Sequence, residues 1–402
     1  MRKILMRWLT GIRMESIPAA QVGEADVQQQ VEKFLCKQYV FRLNCLTDQT
    51  EFRAKREEGL FRPIGKRELN TLCIQTRQHG INCWDKDISR FIYSTAIPPY
   101  HPMRHYMDSL PVWDGIDRVA ALSERISADP FWKAGFYRWM LGLAAQWMGK
   151  ESLHANSVAP VLISLRQGMH KSTFCKMLMP DHLRAYYTDS FDLHSPAAAE
   201  RKLSHFGLIN LDEMDKYSAR KMVWLKNIQQ MSELSIRKAY QNHFVALPRM
   251  ASFIGTSNRM DLLTDPTGSR RYLCVEITHK IDCSPLKHKQ LYAQLKAGLE
   301  SGERYWFTTG EEKALMVHNA PFHRLDAAED VFHACYRLPR EEEKGVKLSA
   351  ADILSELKKK NPVAMKEVSF RSFTESLIAL GAQRFHTRRG NLYEVIPLRT
   401  GV

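Results

Sequence analysis

Lys171 and Ser172 end a short polar loop that follows an apolar run and precedes a helical pattern. This is the layout of a phosphate-binding P-loop, in which backbone N–H groups surround the phosphates of a nucleotide, the lysine neutralises them and the hydroxyl binds Mg²⁺. Gly168 gives the loop one residue that adopts a positive φ without strain. However, Leu165 and His170 hold the positions of the two glycines in the usual pattern G-x-x-x-x-G-K-[ST]. The residues expected to line the nucleotide are Gln167, Gly168, Met169, His170, Lys171, Ser172 and Thr173.

Two adjacent acids, Asp212 and Glu213, follow a later apolar run that ends at Leu211. Nucleotide hydrolysis needs such a pair, because one carboxylate must hold Mg²⁺ and another must polarise the attacking water. Asp212, together with Ser172, is therefore the expected metal residue, and Glu213 is the expected base. Acidic pairs at strand ends also occur as solvated caps, so this pair alone is weak evidence.

Two further elements follow in the same order along the chain. Asn258 ends another apolar run, where an amide can orient water or contact the γ-phosphate. Arg270 and Arg271 precede the next run, where one of them could reach the nucleotide of a neighbouring subunit. Any one element also fits an ordinary strand–loop–helix turn. The four in series predict a site for ATP and Mg²⁺.

This series resembles the virulence-associated E family of P-loop proteins, which is similar to the superfamily 3 and poxvirus-type primase-helicases of the AAA+ class. The resemblance covers residues 110–277 and rests on five segments, which are Trp113-Asp-Gly-Ile-Asp-Arg118, Gln167-Gly-Met-His-Lys-Ser-Thr173, Leu211-Asp-Glu213, Gly255-Thr-Ser-Asn258 and Gly268-Ser-Arg-Arg271. It implies Asn258 as a sensor, Arg270 or Arg271 as a finger, assembly as a homo-oligomeric ring, and a phage or mobile element as the source. His170 departs from the family pattern, which usually has glycine there.

The apolar patterns predict an α/β fold with a parallel sheet at its centre. Strands are expected over residues 160–165, 206–211, 250–256 and 272–277, and helices over residues 171–178, 196–203, 216–231 and 286–302. An aromatic helix over residues 131–148 is expected to pack on this sheet as a buried collar.

Smaller units flank the centre. A mixed α+β unit is expected at the N-terminus, and two helices followed by a hairpin around Arg389-Gly-Asn391 predict a winged helix at the C-terminus. The expected domains are a small N-terminal domain at 1–109, a helical collar at 110–157, a P-loop ATPase domain at 158–340 and a winged-helix-like domain at 341–402.

The net charge of +14 favours a polyanionic partner, and single-stranded DNA is the expected one. Residues 344–402 contain eleven Lys and Arg against five Asp and Glu. A hairpin over residues 235–247 is expected to present phosphate-binding charge beside a stacking ring. Surface packing of the hairpin and a merely solvated basic face are the alternatives. The expected nucleic-acid contacts are Arg237, Lys238, Tyr240, His243, Lys366, Arg371, Arg388 and Arg389.

Other classes of protein fit the sequence less well. No segment has the run of about 18 apolar residues that a membrane span needs, and the basic N-terminus lacks a signal-peptide cleavage site. The eight cysteines contain no C-x-x-C pair, which argues against a zinc site and fits reduced thiols in the cytoplasm.

The sequence therefore favours an Mg²⁺-dependent ATPase, similar to superfamily 3 helicases, that remodels nucleic acid during DNA replication. The alternative is a nucleotide-gated DNA-binding protein that does not hydrolyse ATP, such as an initiator or a defence scaffold. His170 is its main support. A stand-alone primase is disfavoured because the N-terminal region has no compact acidic triad.

Overall fold

The structure is a computed structural model that describes residues 19–56, 59–149, 154–191, 196–237, 244–263, 267–323, 327–340, 343–366, 368–387 and 390–398.

A four-stranded sheet and three helices form the N-terminal unit. Its elements are α1 (Ala19–Gln38), β1 (Tyr39–Asn44), β2 (Gln49–Ala54), β3 (Arg62–Pro63), α2 (Lys66–Gln78), α3 (Asp85–Ile92) and β4 (Pro99–Tyr100). The strand order is β3-β2-β1-β4, in which β1 and β2 are antiparallel and β4 is parallel to β1. Phe41 and Phe52 turn inwards from the two central strands and are buried in one cluster with Val31 of α1 and Phe91 of α3.

Three helices follow and are together called the collar: α4 (Pro102–Asp108), α5 (Arg118–Glu124) and α6 (Pro130–Trp147). Of these, α5 and α6 lie within residues 110–157, where a helical collar was expected. The start of α6 is fixed by Asp129, whose carboxylate accepts hydrogen bonds from the N–H groups of Phe131 and Trp132. Along α6, Trp132, Trp139 and Trp147 are completely buried. The aromatic stripe of the sequence is therefore packing surface, as predicted.

The centre of the molecule is a five-stranded parallel sheet, which confirms the predicted α/β class. Its segment contains β5 (Ala159–Ile163), α7 (Lys171–Met177), β6 (Tyr187–Thr188), α8 (Pro196–His205), β7 (Leu208–Leu211), α9 (Ala219–Gln230), β8 (Glu233–Arg237), β9 (Phe244–Pro248), β10 (Ser252–Ser257) and β11 (Tyr272–Glu276). The strand order is β11-β5-β10-β7-β6, and every neighbouring pair is parallel. The edge strand β6 has only two residues, too few to show a pattern in the sequence. The other two strands, β8 and β9, form a separate antiparallel hairpin where the sequence predicted one.

Both faces of the central sheet are buried, as parallel sheets require. Val161 and Ile163 of β5 pack in one cluster with Leu203 of α8 and Leu225 of α9. Leu162, between them, belongs to the opposite cluster, which contains the three tryptophans of the collar. The collar and the sheet therefore share one core, and that core holds the strand ends in fixed positions.

The remaining elements follow the sheet. They are α10 (His288–Glu300), α11 (Thr309–His318), α12 (Ala327–Cys335), β12 (Tyr336–Arg337), β13 (Val346–Ser349), α13 (Ala350–Lys360), α14 (Phe370–Ala379), β14 (Arg384–Thr387) and β15 (Gly390–Pro397). In the C-terminal part, β15 pairs with β12, β13 and β14, and Ile353 and Phe373 are buried between the helices and this sheet. The order helix, helix, hairpin agrees with the sequence pattern, with one further strand before α13. None of the helices in the described ranges is long and apolar enough to cross a membrane.

Candidate functional site

The candidate site lies at the edge of the central sheet where its strands end. Parallel strands deliver their carboxyl ends to one edge, and ligands of open α/β sheets bind there. The loop 164–170 follows β5, Asp212 follows β7, and Asn258 follows β10. Because β10 lies between β5 and β7, these three segments are immediate neighbours.

The loop after β5 has a sharply turned backbone at two positions. Gly168 has a φ of 72° and His170 a φ of 64°, both in the left-handed region. Glycine adopts this region without cost, which gives a physical reason for glycine to be preferred at position 170. A Cβ on Gly168 would meet no atom within 4 Å, so the loop faces open space there. His170 therefore preserves the turn that glycine would make, at a cost in backbone strain.

Lys171 begins α7 and turns its side chain back towards the strand ends. Its side chain is buried, and Nζ donates hydrogen bonds to Asn258 Oδ1 at 2.8 Å and to the Ser164 carbonyl at 3.3 Å. Burial lowers the pKa of the Lys171 amine, and the nearby carboxylates of Asp212 and Asp215 oppose that shift. The cation is thus poorly hydrated and held between the loop and Asn258.

Asp212 accepts hydrogen bonds from two hydroxyls. Ser172 Oγ donates to Asp212 Oδ1 at 2.9 Å, and Thr256 Oγ1 donates to the same oxygen at 2.5 Å. A carboxylate and a hydroxyl are hard oxygen ligands of the kind that Mg²⁺ takes, usually together with water and substrate phosphates. In the described part of the chain, no group of three or more His, Cys, Asp or Glu side chains could hold a metal ion. Ser172 and Asp212 together offer two such oxygens.

Glu213 has a left-handed backbone, with a φ of 50°. Of the three non-glycine residues with positive φ in the described ranges, His170 and Glu213 both line this site. Strained residues of this kind concentrate at functional sites. The Glu213 carboxylate is half exposed and pairs with Lys216 Nζ at 2.5 Å.

The structure also adds two residues that the sequence reasoning missed. Thr256 bonds Asp212 and also accepts a hydrogen bond from the N–H of Glu213 at 3.2 Å. Asp215 accepts a hydrogen bond from the N–H of Asn258 at 3.1 Å. Only their positions in the sequence could have indicated them, because Thr256 lies two residues before Asn258 and Asp215 two residues after Glu213.

These groups surround an open cavity of about 410 Å³. All seven predicted loop residues line it, as do three of the other predicted site residues. The complete lining is Gln167, Gly168, Met169, His170, Lys171, Ser172, Thr173, Asp212, Glu213, Thr256 and Asn258.

Arg270 and Arg271 are not among the residues that line the cavity. They end a short 3₁₀ helix, Thr267–Arg271, directly before β11. Arg270 Nη1 lies 3.3 Å from Glu312 Oε2 on α11. Their action on a neighbouring subunit stays a prediction.

The predicted nucleic-acid contacts are only partly described by the structure. Arg237 is the last residue of β8 and pairs with Phe244, the first residue of β9. The Phe244 side chain is 66% exposed. Phe244 lies within the segment expected to form the hairpin, but it was not among the predicted contacts. In the C-terminal part, Lys366 and Arg371 are exposed, beside and within the start of α14. Outside the described residues lie Lys238, Tyr240, His243, Arg388 and Arg389.

Two protein families match parts of this chain. The family described as the virulence-associated protein E-like domain matches residues 107–323. A second family, a domain of unknown function described from a B. theta gene, matches residues 326–395. No curated protein matches the chain.

Solved structures of the NrS-1 C-terminal region in its apo form resemble the chain. One is 12% identical, with 93% of this chain and 99% of that chain covered and a TM-score of 0.43. Another is 15% identical, with 74% and 67% covered and a TM-score of 0.39. The family match, by contrast, extends over more than half of the sequence and includes every residue of the cavity. The chain therefore belongs to the virulence-associated protein E-like family.

Proposed function

We propose that the protein is an Mg²⁺-dependent ATPase of the AAA+ class that remodels nucleic acid. One observation carries the proposal: Lys171, Ser172, Asp212 and Asn258 meet at one cavity through direct hydrogen bonds, although they come from three separate segments. A phosphate-binding loop of this kind needs a lysine beside a sharply turned backbone. The Mg²⁺ that accompanies the phosphates needs oxygen ligands close to that lysine. The cavity offers both.

Each residue has a defined part in this proposal. Lys171 would neutralise the β- and γ-phosphates, while Ser172 and Asp212 would hold the Mg²⁺. Held by Ser172 and Asp212, Mg²⁺ would supply positive charge that offsets the negative charge developing on the phosphate oxygens. Glu213 would accept a proton from the attacking water, and Asn258 would orient that water or the γ-phosphate.

The nucleic-acid part of the proposal rests on charge and on the hairpin formed by β8 and β9. The chain carries a net charge of +14, and Phe244 is exposed where β9 begins, opposite Arg237 at the end of β8. An exposed aromatic ring suits the stacking of single-stranded bases, and the predicted contacts Arg237 and Lys238 would add positive charge. The C-terminal helices and hairpin, proposed as a winged helix, would add contacts through Lys366 and Arg371.

A second candidate function is a nucleotide-gated binding protein without turnover. The ion pair between Glu213 and Lys216 favours it, because the Lys216 ammonium occupies a carboxylate oxygen that would otherwise be open to the attacking water. His170 supports it less, since the loop keeps a left-handed turn at that position. The two candidates differ in whether bound ATP is hydrolysed.

The decisive experiment measures ATP binding and ATP hydrolysis, each with and without single-stranded DNA. We expect Lys171→Ala to abolish both, because it removes the only lysine that lines the cavity in the described structure. Lys176→Ala is the matched control, since Lys176 lies on the same helix α7 but is exposed and outside the cavity. Binding without hydrolysis in the parent protein would favour the second candidate. Hydrolysis that persists in Lys171→Ala would contradict both.

A further inference from the structure

Asp215 is a third acid beside the candidate site, two residues after Glu213. It lies in a short 3₁₀ helix, Met214–Lys216, that follows the acidic pair directly. Its carboxylate does not line the cavity. Instead Oδ1 accepts a hydrogen bond from the N–H of Asn258 at 3.1 Å and lies 3.2 Å from Ser257 Oγ. Asp215 therefore joins the turn after β7 to the end of β10.

This contact reaches the nucleotide cavity through one residue. The backbone of Asn258 is held by Asp215, and the side chain of Asn258 accepts a hydrogen bond from Lys171 Nζ at 2.8 Å. A hydrogen bond from a backbone N–H to a carboxylate is stronger than one to a neutral acceptor. The position of the Asn258 amide thus depends on where the Asp215 carboxylate lies.

The turn that carries Asp215 is itself packed against β10. A Cβ at Gly255 would lie 2.4 Å from Met214 Sδ, so the Met214 side chain packs closely over this glycine. The same turn is closed by hydrogen bonds from the N–H of Lys216 to the carbonyl of Glu213 and from the N–H of Tyr217 to the carbonyl of Met214. Asp215 therefore lies in a turn that is held by its own hydrogen bonds and by packing against β10.

We infer that Asp215 is a positioning residue for nucleotide hydrolysis, which acts by fixing Asn258 between Lys171 and the reacting phosphate. The inference rests on the proposed function. It assigns to the acidic turn a second task, separate from those of Asp212 and Glu213. Because Asp215 acts through Asn258, its removal should have no effect of its own once the Asn258 amide is gone.

The test is a double-mutant cycle on steady-state ATP hydrolysis. We expect Asp215→Ala to lower kcat by about ten-fold or more, with KM for ATP changed far less, because misplacing a group that orients the reaction affects the transition state most. Asn258→Ala should lower kcat at least as much. The double variant should be no slower than Asn258→Ala alone, since residues that act as one unit are not additive.

Two further variants separate positioning from a general effect on folding. Asp215→Asn keeps an acceptor oxygen and should retain more activity than Asp215→Ala. If Asp215→Ala does not fold, the same cycle is run with Asp215→Asn. The control is Asp261→Asn, the same change at a half-exposed residue that pairs with Arg259 beyond the end of β10, and it should leave kcat unchanged.

The outcomes also separate this inference from the proposed function. Additive losses of kcat in the double variant, or full activity of Asp215→Ala, would overturn the inference while leaving the ATPase proposal intact. A parent protein that hydrolyses no ATP would overturn the proposed function itself, and this inference with it.

Discussion

Lys171 Nζ and Asn258 Oδ1 lie 2.8 Å apart, although 86 residues separate them in the chain and they follow different strands. The contact forms because β5 and β10 are parallel neighbours whose ends coincide. The amide oxygen of Asn258 gives the buried ammonium of Lys171 a hydrogen-bond partner. A nucleotide phosphate would therefore have to compete with Asn258, and the lysine would already point towards it.

Replacing His170 with glycine tests the cost of the left-handed turn. We expect His170→Gly to raise the free energy of unfolding by up to about 1 kcal/mol, because a non-glycine residue pays about 1–2 kcal/mol there and glycine gains freedom in the unfolded chain. Urea denaturation measures the change. ATP turnover should be at least that of the parent, since the loop keeps its path.

The control for this change is Lys176→Gly, within the same helix α7. Glycine there should lower stability, because Lys176 has an ordinary helical backbone. A loss of more than about 1 kcal/mol in His170→Gly would show that the histidine side chain contributes contacts that outweigh the strain.

Mixing two inactive variants tests the predicted arginine finger. Lys171→Ala lacks the phosphate-binding lysine, and a variant with both Arg270→Ala and Arg271→Ala lacks the finger. If subunits form a ring in which one subunit completes the site of the next, equal mixtures should regain up to about a quarter of the parent ATPase activity. The measurement is ATP hydrolysis after the two proteins are mixed. A mixture as inactive as its components would place the arginines outside the neighbouring site.

The sequence predicted much of this site because its parts are local. Lys171 and Ser172, and Asp212 and Glu213, each stand next to an apolar run, and strand ends can be read from such runs. Because the strands are parallel, their carboxyl ends lie at the same edge of the sheet. The seven loop residues and Asn258 line the cavity for this reason.

The rest of the site depends on contacts that no local pattern encodes. Asp215 and Asn258 meet because β7 and β10 are adjacent, and the sequence does not give the strand order. Likewise, Thr256 reaches Asp212 across the same pair of strands. The left-handed backbone of Glu213 belongs to the tight turn that continues into Met214–Lys216. The sequence has no glycine or asparagine there that would predict such a turn.

The pair between Lys216 and Glu213 predicts a restraint on turnover. We expect Lys216→Met to raise basal kcat several-fold, because it releases the carboxylate that is proposed to accept the proton. Steady-state hydrolysis without DNA measures the change. Lys221→Met, on the following helix α9, is the control and should leave kcat as it is. A fall in kcat for Lys216→Met would mean instead that Lys216 holds Glu213 in its working position.

Glu311 predicts a loss of stability in acid. Hydrogen bonds from Arg304, followed by those from Thr308, lower the pKa of the Glu311 carboxyl to about 2. A depressed folded pKa stabilises the protein above the ordinary pKa of glutamate, and this contribution disappears as the pH falls through about 2. At neutral pH, Glu311→Gln should cost only about 1 kcal/mol, because the pair is partly exposed and screened by water.

Unfolding free energies measured at several pH values check this prediction. The difference between the parent protein and Glu311→Gln should shrink as the pH falls below about 4. Arg304→Met, which removes the partner instead, should show the same convergence. Thr308 caps the start of α11 and exchanges hydrogen bonds with Glu311. A difference that is independent of pH would assign the effect to this cap rather than to the charge.

Replacement of Arg249 is expected to cause the largest loss of stability among these variants. Its side chain is completely buried, and the guanidinium donates hydrogen bonds to the carbonyls of Gln229 and Ile228 at the end of α9, of Ala251, and of Asn156. The last carbonyls of a helix have no helical partners, so Arg249 satisfies groups that would otherwise be buried without one. The same residue joins α9 to the hairpin, since its N–H donates to the carbonyl of Ser232.

We expect Arg249→Met to lower the free energy of unfolding by more than about 3 kcal/mol, because each buried carbonyl left without a donor costs about 1–3 kcal/mol. Arg249→Lys should also destabilise the protein, since an ammonium cannot reproduce the planar fork. The control, Arg259→Met, breaks an exposed ion pair with Asp261 and should cost less than about 1 kcal/mol. Urea denaturation of the three variants gives the comparison. Equal losses at Arg249 and Arg259 would mean that water reaches these carbonyls once the guanidinium is removed.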